Sequence, residues 1–217
     1  MKKNFLILIL ILLMPIKAFA LIEVDITRGN LNPLPLAVSP LSIDDKSKKS
    51  FEKILERENI GSEISTIVEN NLRTSGLFNP LSKEAFLQAP DIANLKPRFE
   101  DWNLIKAQAL ITGKVTYVDE KLRVEFRLWD VLAAKEMMAL AFTTVPSNWR
   151  RVGHIISDKV YKRLTGEKGY FDTRIIYVAE EGPKTQRKKR LAIMDQDGAN
   201  NKFLTLGNEL VLTPRFN

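Results

Sequence analysis

Few side chains in this sequence are of a type that does chemistry, and none falls into a catalytic pattern. His154 is the single histidine of 217 residues, and there is no cysteine. A lone imidazole, with no thiolate, second histidine or carboxylate pair at ligand spacing along the chain, reads as a structural residue rather than a metal ligand or general base. Asp195-Gln196-Asp197-Gly198 has the start of a calcium loop, in which alternate carboxylates meet one cation, but the later ligands of that pattern are missing. A tight turn between two strands is the better reading. Lys184 with Arg187, Lys188, Lys189 and Arg190 is the densest basic cluster. It has the chemistry to grip phosphate or an acidic protein, although a charged hairpin tip is ordinarily just solvated. No nucleophile and base are spaced as a triad. The chain is therefore expected to be no enzyme, with no catalytic residue, no cofactor and no metal.

The elements that must position these groups begin with an export address. Lys2 and Lys3 precede an apolar run over 5–14, Pro15 and Lys17 close it, and Ala18-Phe19-Ala20 is a small-residue cleavage pattern. Residues 1–20 read as a signal peptide cut between Ala20 and Leu21, which places the mature protein in the periplasm. Without Lys2, Lys3 and Lys17 the formal charge falls from +7 to +4. That mild excess, behind an export signal, argues against a nucleic-acid partner. With no cysteine, folding is expected to be redox-independent.

The mature chain starts with a strand, Leu21, Ile22, Glu23, Val24, Asp25, Ile26 and Thr27, in which apolar and polar residues alternate. Pro33, Pro35 and Pro40 then confine 31–41 to an edge strand or polyproline-like path. Residues 42–53 are polar without period and read as a surface loop or frayed helix start. Ile60, Ile64, Ile67, Val68 and Leu72 predict an amphipathic helix over 59–75, stopped at Gly76. Leu81, Ala85, Phe86 and Leu87 read as a short helix or turn, and Trp102 and Ile105 as core anchors of another short helical piece. Strands follow at 109–119, 121–130 and 137–144. A helix over 146–165 buries Trp149, Val152, Ile156, Val160 and Leu164 and ends at Gly166. Beyond 169 the texture is all β: a strand at 173–179, a polar hairpin over 180–190, strands at 191–195 and 202–206, and a turn at 196–200. Tyr170 and Phe171 are expected to pack where the two textures meet. The fold class is an α+β N-terminal domain over 21–168, a small mixed sheet with helices on one face, followed by an incomplete all-β propeller blade over 169–217. Protease sensitivity is expected after residue 169.

LRVEFRLWDV at 122–131, NWRRVGHIISDKVYKRLTGEKGYFDTRIIYVAE at 148–180 and KRLAIMDQDGANNKFLT at 189–205 together resemble the TolB family, the periplasmic component of the Tol-Pal system of Gram-negative envelopes. The LTGEKGYFDT joint and the IMDQDG turn, in this order behind an export signal, are specific, and the resemblance covers nearly the whole chain. It implies an N-terminal α/β domain and a six-bladed propeller, truncated here in its first blade. It implies a scaffold that contacts inner-membrane TolA through an N-terminal peptide, here residues 21–33 with Leu21 to Thr27 at its heart, and the lipoprotein Pal through the propeller. The peptide is docked or released in the family. Such a scaffold maintains outer-membrane integrity and draws that membrane inward at division, touching membranes through its partners only. Missing blades would remove most of the Pal surface, and 42–53 looks longer than the family pattern. Two other readings stay open: a non-functional truncated remnant, and a fragment of a propeller-bearing exported hydrolase.

Overall fold

The computed structural model describes residues 32–207 and 213–216. The expected leader, its cleavage point at Ala20 and Leu21, and the strand Leu21 to Thr27 lie outside the described residues.

Six strands form a mixed sheet: β1 Leu34–Val38, β2 Ser42–Ile43, β3 Phe78–Pro80, β4 Ala109–Val118, β5 Lys121–Asp130 and β6 Lys135–Thr144. The order is β3-β1-β4-β5-β6, with β2 also pairing β4. β1 is parallel to β3 and β4, whereas β4, β5 and β6 form an antiparallel meander. Strict alternation builds β5: Leu122, Val124, Phe126 and Leu128 are all buried. Asp119 and Glu120, both at positive φ, make the two-residue hairpin that joins it to β4.

The proline-rich segment is a correction. β1 is not an edge strand but lies between β3 and β4, with Leu36 and Val38 in the core. Leu34 N–H donates to Leu77 O and Leu36 O accepts from Leu81 N–H, so these residues use their backbone groups toward β3. Pro35 therefore faces β4, where its carbonyl accepts from Gln108 N–H, one residue before β4 begins. The absent N–H falls where the ladder has not started, and an interior strand tolerates the ring there.

Of the two readings of 42–53, the helix start holds and the loop does not: the residues are β2 and most of helix α1 (Asp45–Leu55). The Asp44 carboxylate caps the helix, accepting from Ser47 N–H at 2.9 Å. The Ser47 hydroxyl in turn accepts from Tyr117 N–H at 2.9 Å, and Phe51 is buried edge-on against Tyr117. One aromatic and one serine, four residues apart, dock a helix whose other positions are nearly all polar.

α1, α2 (Ile60–Thr74) and α5 (Trp149–Thr165) share one face of the sheet. The predicted apolar stripes of α2 and α5 are buried there at all ten positions. The helices approach closely at Gly153, where a Cβ would stand 2.9 Å from Ile67 Cγ2. Two short helices, α3 (Pro90–Leu95) and α4 (Phe99–Leu104), cover part of the opposite face. There Ala93 and Trp102 pack with Ala37, Leu110 and Val131, with Ile105 half-buried beside them. Trp102 Nε1 donates to Gln88 Oε1 at 2.8 Å.

Beyond α5, β7 (Arg174–Glu181), β8 (Lys188–Asp195) and β9 (Lys202–Phe203) form a three-stranded antiparallel meander. The expected polar hairpin over 180–190 is a shorter loop, because Glu180 and Glu181 extend β7 and Lys188, Lys189 and Arg190 belong to β8. β9 keeps only the first two residues of the expected strand.

Candidate functional site at the joint

The joint is built from the exit of α5. Gly166 at φ 79° ends the helix, and the chain then doubles back along it. The Asp158 carboxylate accepts from Phe171 N–H at 2.7 Å and from Asp172 N–H at 3.2 Å. Gly169 passes so close that a Cβ there would lie 2.4 Å from Asp158 Oδ1. Phe171 is fully buried, its ring edge-on to Tyr161 at 5.7 Å, while Tyr170 stays 47% exposed. Both aromatics take part in the expected packing, Phe171 from within the core and Tyr170 from its rim, with the Tyr170 ring 5.8 Å from Tyr161 and 4.5 Å from Phe171. Arg151 on α5 holds Asp172 through two parallel bonds, Nε to Oδ1 at 3.0 Å and Nη2 to Oδ2 at 3.1 Å.

The Asp195-Gln196-Asp197-Gly198 segment is the tight turn its sequence indicates. Gly198 at φ 85° donates its N–H to Asp195 O at 2.9 Å, and Asp197 Oδ1 accepts from Ala199 N–H at 3.1 Å. Folding lays this turn on α2 and α5. Gln196 Nε2 donates to Asn71 Oδ1 at 2.8 Å, and Asn71 Nδ2 donates to Ser157 Oγ at 2.9 Å and meets His154 Nδ1 at 3.0 Å. Asp197 pairs with Arg150 and lies 3.6 Å from His154 Nε2. Asp195 accepts from Asn200 Nδ2 at 2.6 Å. His154, distant from any carboxylate pair along the chain, thus has two beside it in space.

His154 is 3% exposed. With Nδ1 accepting from Asn71, the neutral ring carries its proton on Nε2, which has no hydrogen-bond partner. Burial lowers its pKa below the ordinary histidine value; Asp197 and Asp195 pull it back up, and Arg150 opposes them. Two cavities flank this contact. One of about 720 Å³ runs between α2, Trp149 and the turn; another of about 420 Å³ is lined by Arg150, Arg151, His154, Asp172, Arg174 and Asp195. Trp149 forms the floor of the first, with the Arg57 guanidinium 4.9 Å and the Arg150 guanidinium 5.4 Å from its ring.

The basic cluster is not drawn into this site. Arg187 and Lys189 bind Glu180 at 2.6 and 2.9 Å, Arg190 binds Glu181 at 2.5 Å, and the Arg190 guanidinium sits 3.7 Å over the Phe203 ring. Lys189 and Arg187 hold the Glu180 carboxyl below its ordinary pKa. Much of the cluster's charge is thus met within the hairpin itself. The residues that sequence reasoning missed are Asn71, Arg150, Asp158 and Gln196. Asn71 alone left a signal: a polar residue between Val68 and Leu72 on the apolar face of a helix needs a buried partner.

Residues 22–137 match the family described as the TolB amino-terminal domain, and residues 161–217 the TolB beta propeller domain. The chain belongs to the TolB family. It is 85% identical over 208 residues to the Tol-Pal system protein TolB of Pelagibacter ubique (strain HTCC1062), covering 96% of this chain and 47% of that protein. The chain thus spans about half the length of the curated relative it matches. The crystal structure of TolB from Acinetobacter baumannii aligns at TM-score 0.64 and 26% identity, over 79% of this chain and 38% of that one. The mixed sheet with helices followed by a partial propeller blade agrees with this family. No helix among the described residues is long and apolar enough to cross a membrane.

Proposed function

We propose that this chain is the N-terminal part of a periplasmic scaffold of the Tol-Pal system, with a leader over 1–20, an α/β domain over 21–168 and the start of a propeller over 169–217. The observation that carries the reading is the 85% identity over 208 residues to a protein named for that system. The scaffold links inner-membrane TolA, through Leu21 to Thr27 within the peptide 21–33, to the outer-membrane lipoprotein Pal through propeller surface. Its role is outer-membrane integrity and the inward movement of that membrane at division. It binds and transmits; it does not catalyse.

The fold makes the peptide assignment testable. Leu34, the first residue after the peptide, opens β1, which lies between β3 and β4. A form starting at Leu34 should keep its thermal midpoint and circular dichroism and lose binding to purified TolA by at least about tenfold, roughly 1.4 kcal/mol. Unchanged TolA affinity in the shortened form would remove the peptide from the mechanism.

A further inference from the structure

We propose that His154, Asp195 and Asp197 form a divalent transition-metal site that ties α5 to the blade, with zinc the ion that the ligand set fits best. This goes beyond the scaffold reading and does not depend on its partners. One imidazole nitrogen and one oxygen from each carboxylate all lie within 4.8 Å of one another. The imidazole is not a surface group that happens to be near acids. It is 3% exposed, it is aimed at Asp197 across 3.6 Å, and its Nε2 has no hydrogen-bond partner. A buried polar atom without a partner is costly, and with the ring proton moved to Nδ1 a metal ion bound at Nε2 removes that cost.

The donor set selects the ion. One nitrogen and two carboxylate oxygens match a zinc sphere of three protein ligands and water, and the cavity of about 420 Å³ that His154 and Asp195 help to line has room for that water. Calcium and magnesium prefer all-oxygen shells of six or more ligands, and the imidazole disfavours them. Zinc bonds of about 2.1 Å put tetrahedral ligand atoms roughly 3.4 Å apart, so the turn has to close by about an ångström on the helix. That closure draws the blade toward the domain.

The second layer allows the change in protonation that the site requires. Zinc on Nε2 displaces the proton carried there, and the neutral ring keeps one proton by moving it to Nδ1. Asn71 then turns its amide so that its oxygen accepts from Nδ1, the Ser157 hydroxyl turns to donate to it, and the Gln196 amide reverses with it. No proton is released overall. The ion takes the place of Arg150 beside Asp197 and of Arg174 beside Asp195, and both guanidiniums have to turn away to solvent so that its two charges are met by the two carboxylates.

Because His154 is the only histidine, one imidazole signal reports the site without any substitution. The full chain, with nitrogen-15 in its histidine, is titrated with zinc chloride alone. The expected result is a saturable shift complete near one equivalent, with the tautomer changing from Nε2–H to Nδ1–H. Asp195→Asn and Asp197→Asn, both at the turn and away from the core, should each weaken zinc at least about tenfold. An imidazole signal unmoved by excess zinc would overturn the site, as would either of two other results: both asparagine variants binding as tightly as the parent, or calcium shifting the ring as strongly as zinc.

Discussion

Asn71 is the residue on which the joint depends most. One amide serves Gln196 of the blade and His154 and Ser157 of α5, all within 3.0 Å, and it is 2% exposed. Asn71→Ala leaves buried His154 Nδ1 and half-buried Gln196 Nε2 without their partner and takes one bond from Ser157, so unfolding free energy measured in urea should fall by about 2–3 kcal/mol. Asn71→Leu, which fits the apolar stripe of α2, should cost as much, because the loss lies in the abandoned partners and not in packing. Asp44 is simpler. As the cap of α1 it should contribute about 1 kcal/mol, removed by Asp44→Ala. Its pKa is lowered, first by the Ser47 backbone N–H. The folded state therefore favours the carboxylate, and the stabilisation is complete above the ordinary aspartate range and lost as pH falls through the lowered pKa. The difference between parent and Asp44→Ala should hold at neutral pH and shrink as pH falls below the ordinary aspartate range; a gap independent of pH would mean that the carboxylate is not the cap.

At the scale of elements, α2 and α5 are the pair that must fit. Gly153 lets them meet, since a Cβ there would stand 2.9 Å from Ile67 Cγ2 and 3.0 Å from Ile67 Cβ. Gly153→Ala should destabilise by about 1–3 kcal/mol through overpacking, although alanine is the better helix former. A gain in thermal midpoint would show that Ile67 moves aside freely. α1 makes the opposite case, a helix attached mainly through Ser47 and Phe51, with Leu55 packed at its end. Phe51→Ala should cost about 3–5 kcal/mol, and with Tyr117 left uncovered the loss of helix signal should centre on 45–55. Both the α2 and α5 stripes were legible because apolar residues recur at three- and four-residue steps. α1 was read only as a loop or a helix start, because Ser47 and Phe51 make too short a stripe to rise above a polar background.

Across the whole molecule, the blade is not loosely appended. Arg151 to Asp172, Arg150 to Asp197 and Gln196 to Asn71 fasten it at three points, and Phe171 runs into the main core. Limited proteolysis should therefore cut first in the exposed loop 182–187 and spare 166–172. Mass spectrometry of the first fragments decides this, and initial cleavage between 166 and 172 would mean that the joint opens before the hairpin does.

The sequence by itself determined the amphipathic helices, the β4 to β6 meander, the turn at Gly198 and the family, because each is written in local spacing or contiguous motif. It misplaced β1, since three prolines describe an edge until the register shows that Pro35 faces Gln108, just before the β4 ladder begins. Tertiary structure alone decided the joint. His154 looked isolated because its neighbours Asn71, Asp195, Gln196 and Asp197 come from other elements, and no periodicity within a helix or strand encodes a contact between them. Their meeting is set by how the Asp158 carboxylate folds the chain back after Gly166, which is a matter of three-dimensional closure and not of local pattern.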